Sequence, residues 1–239
     1  MTESIDITFD LRRDTPSGKD PDTHSPTLRR YHRMLWSKPL PNGRHFHLVD
    51  TKPEVYLHHK SDMGEFRLGS DAVIPSFARE QTIRHVIEQI PEEKLEFFNA
   101  VGYTIGGMML WPSQRVGRKM TINQRRGLHP RIKDRFDLTL ECVKRHYDAS
   151  PSPMSDTLNR HEKFFSLFGD FKGFVEHFLL QDIVTSSFDG VCMFIPFNGF
   201  DVSPLPQTPT EYNAYMTESI NFIEARNRRI SRYWQLKGT

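Results

Sequence analysis

Several common marks of function are scarce or missing in this chain of 239 residues. Its two cysteines, Cys142 and Cys192, are far apart and form no CxxC pair, so a disulfide framework and a cysteine zinc site are excluded, and buried free thiols are expected. No apolar run approaches about 18 residues, which excludes a membrane-spanning helix. The N-terminus MTESIDITFD is acidic and does not resemble a secretory signal, so we expect a cytoplasmic protein.

Excess charge and nucleotide-binding motifs are lacking as well. The chain has 32 Lys and Arg against 30 Asp and Glu, a net charge of +2. That is too little for a general nucleic-acid binder, so any such role requires a local basic patch. Neither GxxxxGK[ST] nor GxGxxG is present, and the sequence leaves open which cofactor the protein binds, if any. Phenylalanine is plentiful, with 18 residues, and indicates a sizeable aromatic core.

Short apolar runs and amphipathic repeats indicate the fold class. Residues 108–111 are apolar between glycine and proline, which favours a buried strand. Ser25 before Pro26 is typical of a helix start, and Thr208 and Glu211 form a capping box before the last helical repeat. We therefore predict an α+β fold, a mixed sheet of short strands packed against several amphipathic helices, with a helical C-terminal half.

Two further strands and the domain organisation follow from the same patterns. Alternation over residues 5–11 and the apolar run 191–197 each predict a strand. Residues 148–155, DASPSPMS, have the composition of a linker. We predict a single domain over residues 1–239, with a possible subdivision into a mixed part, 1–147, and a mainly helical part, 156–239.

The densest charge lies in residues 115–135. Its eight cations are opposed only by Asp134, which gives 8 − 1 = +7. Apolar residues at helical spacing over 132–147 predict a long helix directly after this basic segment, with Pro130 in its first turn. The cations are Arg115, Arg118, Lys119, Arg125, Arg126, Arg131, Lys133 and Arg135.

A basic loop that enters a helix start is a candidate anion site. The first N–H groups of a helix lack internal partners, and the macrodipole adds about half a positive charge there. The predicted ligand is a nucleotide or nucleic acid. The alternative is a solvated loop with salt bridges to acidic segments. The predicted anion-binding residues are Arg118, Lys119, Asn123, Gln124, Arg125, Arg126 and Arg131, with Gly127 permitting a turn.

An enzyme that acts on a phosphorylated substrate, such as a nuclease or transferase, is a second hypothesis. It needs a base or nucleophile near the basic segment. The same acidic residues would also be ordinary ion-pair partners for neighbouring cations, so whether the protein is an enzyme stays open. The candidate catalytic residues are His129, Asp134, Asp137 and Glu141.

Two histidine- or aspartate-rich stretches suggest metal chemistry only weakly. A histidine cluster can bind a metal or relay protons, but cysteine or a carboxylate at ligand spacing is lacking here. Asp20, Asp22 and His24 lie in a Pro/Gly-rich loop, where aspartate usually serves turn chemistry. We therefore assign no metal site, and whether the histidine cluster binds a metal stays open. The histidines of the cluster are His45, His47, His58 and His59.

Four sequence blocks carry a family resemblance. They are DPDTHSPTLRRYH at 20–32, LWSKPLP at 35–41, TINQRRG at 121–127 and DRFDLTLEC at 134–142. The chain resembles a widespread family of bacterial proteins of unknown function. The resemblance implies a bacterial or phage-borne cytosolic protein that folds as one unit, and it transfers no activity. A third hypothesis is therefore a phage- or defence-associated component that binds a protein partner.

Overall fold

The computed structural model describes residues 4–51, 56–74, 77 and 80–237. It has the predicted α+β fold with a helical C-terminal half. The α-helices are Pro21–His24 (α1), Pro26–Trp36 (α2), Arg84–Ile87 (α3), Glu92–Gly102 (α4), Ile122–Leu128 (α5), Phe136–Tyr147 (α6), Ser155–Arg160 (α7), Glu162–Phe165 (α8), Phe171–His177 (α9) and Pro209–Lys237 (α10). Short 3-10 helices cover Leu11–Asp14, Gln81–Ile83, Ile105–Gly107, Ser166–Phe168 and Gln181–Ile183.

The strands form two antiparallel sheets, where we expected a mixed one. Lys38–Pro39 (β1) pairs with His45–Phe46 (β2). The larger sheet has the order β3-β4-β5-β6 and contains Val49–Asp50, Leu57–Ser61, Gly64–Ala72 and Met108–Pro112. A tight turn joins β4 to β5, and such hairpins make antiparallel pairs. β6 is buried along its whole length, as predicted for residues 108–111.

Apolar side chains from both parts of the chain form one hydrophobic cluster, which runs from Leu11 to Ile230 in sequence. Trp36 packs on Phe178, with ring centroids 5.4 Å apart, and Trp111 stacks on Phe174 at 6.3 Å. These contacts join α2 and β6 to the segment 171–178. The shared core is the physical reason to keep the prediction of a single domain.

The last helix, α10, has 29 residues and begins where the capping signal predicts. Thr208 Oγ1 accepts a hydrogen bond from the N–H of Glu211 at 3.1 Å. The predicted apolar face is buried at Tyr212, Ile223 and Ile230. No helix in the described ranges is both long and apolar enough to cross a membrane.

Arg226 of α10 is a fully buried cation. Its Nη1 donates to the carbonyls of Gly106 and Met108, each at 2.8 Å, and its Nε and Nη2 donate to Phe178 O at 3.3 and 3.0 Å. The guanidinium carbon lies 5.8 Å from the ring centroid of Trp36. Arg226 thus joins α10 to β6 and to the end of α9.

The two other predicted strands are wrong. Residues 5–11 form turns because the Asp6 carboxylate accepts from Thr8 N–H at 2.8 Å and Asp10 caps the following 3-10 helix. Such local bonds compete with a strand ladder. In the segment 191–197, only Val191 forms an isolated bridge, and Phe194 N–H donates to the Asp137 carboxylate at 2.9 Å.

The helix after the basic segment begins at Phe136 rather than near Pro130. Lys133 and Asp134 have φ values of 47° and 65°, which no right-handed helix accommodates. The basic segment instead contains its own helix, α5, which we did not predict. Cys142 is buried as expected, whereas Cys192 is exposed.

Candidate functional site

Helix α5 organises the basic segment. A reciprocal capping box starts it, in which Thr121 Oγ1 accepts from Gln124 N–H and Gln124 Oε1 accepts from Thr121 N–H, both at 3.3 Å. One face packs on β5, where Asn123 Nδ2 donates to Ser70 O at 3.3 Å. Two residues predicted to bind an anion, Asn123 and Gln124, therefore make bonds within the protein.

Arg126 lies on the same inner face and is fully buried. It forms an ion pair with Asp71 of β5, and its Nε lies 3.3 Å from the Asp134 carboxylate. Its Nη1 and Nη2 also donate to Ala72 O and Asp134 O, at 3.2 and 3.0 Å. A buried charge is stable in this way because carboxylates and carbonyls surround it. Arg126 is consequently turned away from any ligand at the surface.

The cations that follow α5 also have carboxylate partners. Arg131 pairs with Asp201 at 3.1 Å, and Lys133 pairs with Glu80 at 3.0 Å. Arg135, at the start of α6, pairs with the buried carboxylate of Asp137. These cations therefore do not converge on the first amides of α6.

Three of the four remaining cations face a different surface, and the fourth, Arg115, is exposed outside it. Arg118, Lys119 and Arg125 line a depression of about 420 Å³ together with Arg160 of α7. Arg118 and Lys119 are exposed, and Arg118 has a φ of 60°. The rest of the wall consists of Met120, Pro153, Asp156 and Thr157. We call this surface the basic depression.

Arg160 fixes the geometry of the basic depression. Its Nη2 donates to Met120 O at 3.3 Å and to Thr157 Oγ1 at 3.1 Å, and its Nη1 donates to Asp156 O at 2.8 Å. Its Nε is buried without a partner. Within the described ranges, no carboxylate lies within ion-pair distance of Arg118, Lys119 or Arg125. Sequence reasoning missed Arg160 because it follows the basic segment by a whole helix and a linker.

Comparison with known proteins places the chain in a family. A family profile matches residues 5–230, nearly the whole chain. The chain belongs to DUF6994, a family of unknown function. No curated protein and no solved structure matches it. For this DUF6994 chain, the function must therefore be argued from its own geometry.

The four candidate catalytic residues of the DUF6994 chain do not share one site. Asp137 is buried between Arg135 and Phe194 N–H, and Glu141 pairs with Arg145 at 2.7 Å. His129 Nδ1 accepts from Arg131 N–H at 3.1 Å, and burial lowers the pKa of its imidazole. The fourth, Asp134, lies beside Arg126. None of the four lines the basic depression.

Sequence analysis did not identify a pair of neighbouring carboxylates behind α5, Asp22 and Asp71. Asp22 Oδ2 accepts from Ala72 N–H at 3.1 Å, while its Oδ1 is buried without a partner. Burial raises the pKa of Asp71 to about 7, and burial together with Asp71 raises the pKa of Asp22. We assigned Asp22 to turn chemistry because Asp71 is far away in sequence, and only the sheet brings the two together.

The histidine cluster is held by ordinary contacts. His59 stacks on Phe46, with centroids 4.3 Å apart, and its Nδ1 lies 2.8 Å from His47 O. His58 Nε2 lies 3.1 Å from Glu65. In the part of the chain that the structure describes, no three His, Cys, Asp or Glu residues are placed to hold a metal.

Proposed function

We propose that the protein binds a phosphate-bearing ligand, a nucleotide or nucleic acid, in the basic depression. The observation that carries the proposal is the way the cations of the basic segment divide. Those at 126, 131, 133 and 135 have carboxylate partners, whereas Arg118, Lys119 and Arg125 have none among the described residues and line one recess with Arg160.

Electrostatics favours an anion at this place. Like charges held close together repel each other, and a bound phosphate relieves that repulsion while it accepts charge-assisted hydrogen bonds. Arginine suits phosphate because its planar fork can donate two parallel bonds. Arg160 is already oriented by Met120 O and Thr157, so little side-chain entropy is lost when a ligand binds it. The ligand-facing cations are then Arg118, Lys119, Arg125 and Arg160.

The geometry supports binding rather than turnover. Catalysis of phosphoryl transfer or hydrolysis requires a base within reach of the reacting atoms. Asp156 is the carboxylate that lines the basic depression, and none of the four candidate catalytic residues lies there. The proposal therefore concerns recognition of the ligand.

The test compares two double variants with the same change in charge. Lys119→Ala/Arg125→Ala removes two cations from the basic depression, and Lys19→Ala/Arg115→Ala removes two exposed cations outside it. Fluorescence anisotropy is measured with a labelled mononucleotide, a single strand and a duplex, at about 50 and 200 mM salt.

We expect the depression variant to lose about tenfold in affinity for each cation removed, because each charge-assisted contact contributes about 1.5 kcal/mol. For nucleic acid, three phosphate contacts give a slope of log affinity against log salt of about −2 to −3. The control variant retains wild-type affinity. Absence of binding, or equal losses in both variants, would refute the proposal.

A further inference from the structure

A second recess adjoins the basic depression. It has a volume of about 510 Å³ and lies between the β5–β6 edge of the larger sheet and the junction of α7 and α8. Arg160 lines both recesses. The loop 113–120 also contributes to both, with Val116 in the second recess and Lys119 in the basic depression. The two recesses therefore lie side by side on one surface, with Arg160 between them. We call the second one the groove.

The groove differs from the basic depression in chemistry. Phe66, Pro112, Val116 and Phe164 give it apolar walls. A flat group with apolar faces would bury surface there, which is favourable by about 25 cal/mol per Å². The groove thus offers an apolar complement to the phosphate site beside it.

His161 is the unusual polar group of the groove. The residue is 6% exposed, and its Nε2 is buried without a partner. Burial lowers the pKa of the His161 imidazole to about 4, so the ring is neutral at physiological pH and carries one donor and one acceptor. An unsatisfied buried polar group costs about 1–3 kcal/mol, which a ligand that bonds to it would recover.

Further cations lie along the groove. Arg67 and Lys163 line it, and neither has a carboxylate partner in the described part of the chain. Two carboxylates line the groove as well: Glu65 pairs with Lys60 at 3.5 Å, and Glu162 lies 2.9 Å from His146 Nε2. With Arg160, the lining therefore has three cations and two carboxylates, a net charge of 3 − 2 = +1, beside the more positive basic depression.

We infer that the groove takes the base of the same ligand whose phosphate binds the basic depression, so that the ligand class is a nucleotide with an unpaired base. The inference rests on the proposed function. A nucleotide joins an anion to a flat ring with apolar faces and a hydrogen-bonding edge, and these three parts match the basic depression, the apolar walls and His161. A duplex does not fit, because its base edges are paired. The ligand is either a free nucleotide or a segment of a single strand.

The test uses probes that contain or lack a base. Competition by inorganic pyrophosphate and ribose 5-phosphate is compared with a mononucleotide, a single-stranded oligonucleotide and the corresponding duplex. His161→Phe keeps a ring but removes its nitrogens, and His45→Phe is the control because His45 is exposed and outside both recesses. We expect His161→Phe to weaken nucleotide and single-strand binding about 5- to 100-fold. Pyrophosphate and ribose 5-phosphate should be unaffected.

A second variant separates the two ligand sources and does not depend on a buried residue. Arg67→Ala/Lys163→Ala changes two exposed side chains of the groove. A loss of affinity for the single strand alone identifies a strand that runs along the groove. A change confined to the mononucleotide, or a loss shared by both, identifies a free nucleotide.

Three results would overturn the inference. In the first, ribose 5-phosphate competes as well as the nucleotide and the groove variants do not change the affinity of any probe. This result would leave the proposed function intact. The second is a duplex binding as tightly as the single strand, and the third is an acidic peptide displacing the nucleotide with higher affinity. If no phosphate-bearing probe binds at all, the proposed function fails together with the inference. Circular dichroism of each variant confirms that it is folded.

Discussion

Arg226→Met tests the buried arginine that joins α10 to the rest of the core. Methionine is long and apolar, so it fills much of the space of the side chain but cannot donate hydrogen bonds. The substitution leaves the carbonyls of Gly106, Met108 and Phe178 without their four bonds from the guanidinium. It also removes a charge that is costly to bury, since burial lowers the pKa of Arg226 to about 9.

The balance of these effects gives the expected magnitude. Three buried acceptors without partners cost about 1–3 kcal/mol each, and relief from burying the charge offsets part of that cost. We therefore expect the free energy of unfolding to fall by about 3–5 kcal/mol. For a chain of this size, the melting temperature would fall by about 6–20 °C.

Urea unfolding followed by tryptophan fluorescence and circular dichroism measures the change. The matched control is Arg232→Met, which makes the same substitution on an exposed position of the same helix. The control should change the free energy of unfolding by no more than about 0.5 kcal/mol. If Arg226→Met changed it by less than about 1 kcal/mol, the carbonyl contacts would not contribute to stability as argued.

Two further predictions concern stability. Since the pKa of Asp22 is raised in the folded protein, its contribution to stability is complete below the unfolded pKa and declines as pH rises toward the folded pKa. Asp22→Asn should therefore raise the free energy of unfolding more at about pH 7 than at pH 4, by up to about 1.4 kcal/mol per pH unit. Urea unfolding measures the difference between variant and wild type, and an equal difference at both pH values would contradict the argument. Gly106→Ala should destabilise by at least about 2 kcal/mol, because its Cβ would lie 2.6 Å from Ile223 O and Asn227 Oδ1. In the control Gly127→Ala, the added Cβ in α5 has no atom within 4 Å, so this variant should stabilise the protein by about 0.5–1 kcal/mol. Thermal unfolding that showed equal effects of the two substitutions would contradict the packing argument.

Local signals predicted the parts of the fold that local chemistry determines. The Ser25 cap and the Thr208 cap mark the starts of α2 and α10, and the apolar run at 108–111 is β6. The predicted strand at 191–197 failed because its backbone bonds to a distant side chain, Asp137. A pattern within one segment contains no information about such a partner.

The candidate site shows the same division. Arg125 and Arg126 are adjacent and chemically identical, yet one lines the basic depression and the other is buried against Asp71. The rotation of each residue about the helix axis decides between these environments, and our prediction of a loop in place of α5 contains no such information. A capping box from Thr121 to Gln124 was the signal that would have revealed it.

The bond from Gly106 N–H to Asn227 Oδ1, at 2.8 Å, joins residues 121 positions apart in sequence, and the bonds of Arg226 to β6 span almost the same distance. A ribosome that adds about 5–20 residues per second needs on the order of ten seconds to make that stretch. During this time the nascent chain has the buried strand β6 but not the helix that satisfies its carbonyls. The growing polypeptide therefore completes the larger sheet, β3 to β6, well before the helix that bonds to its last strand exists, and that strand lacks this cover until the C-terminal end has been made.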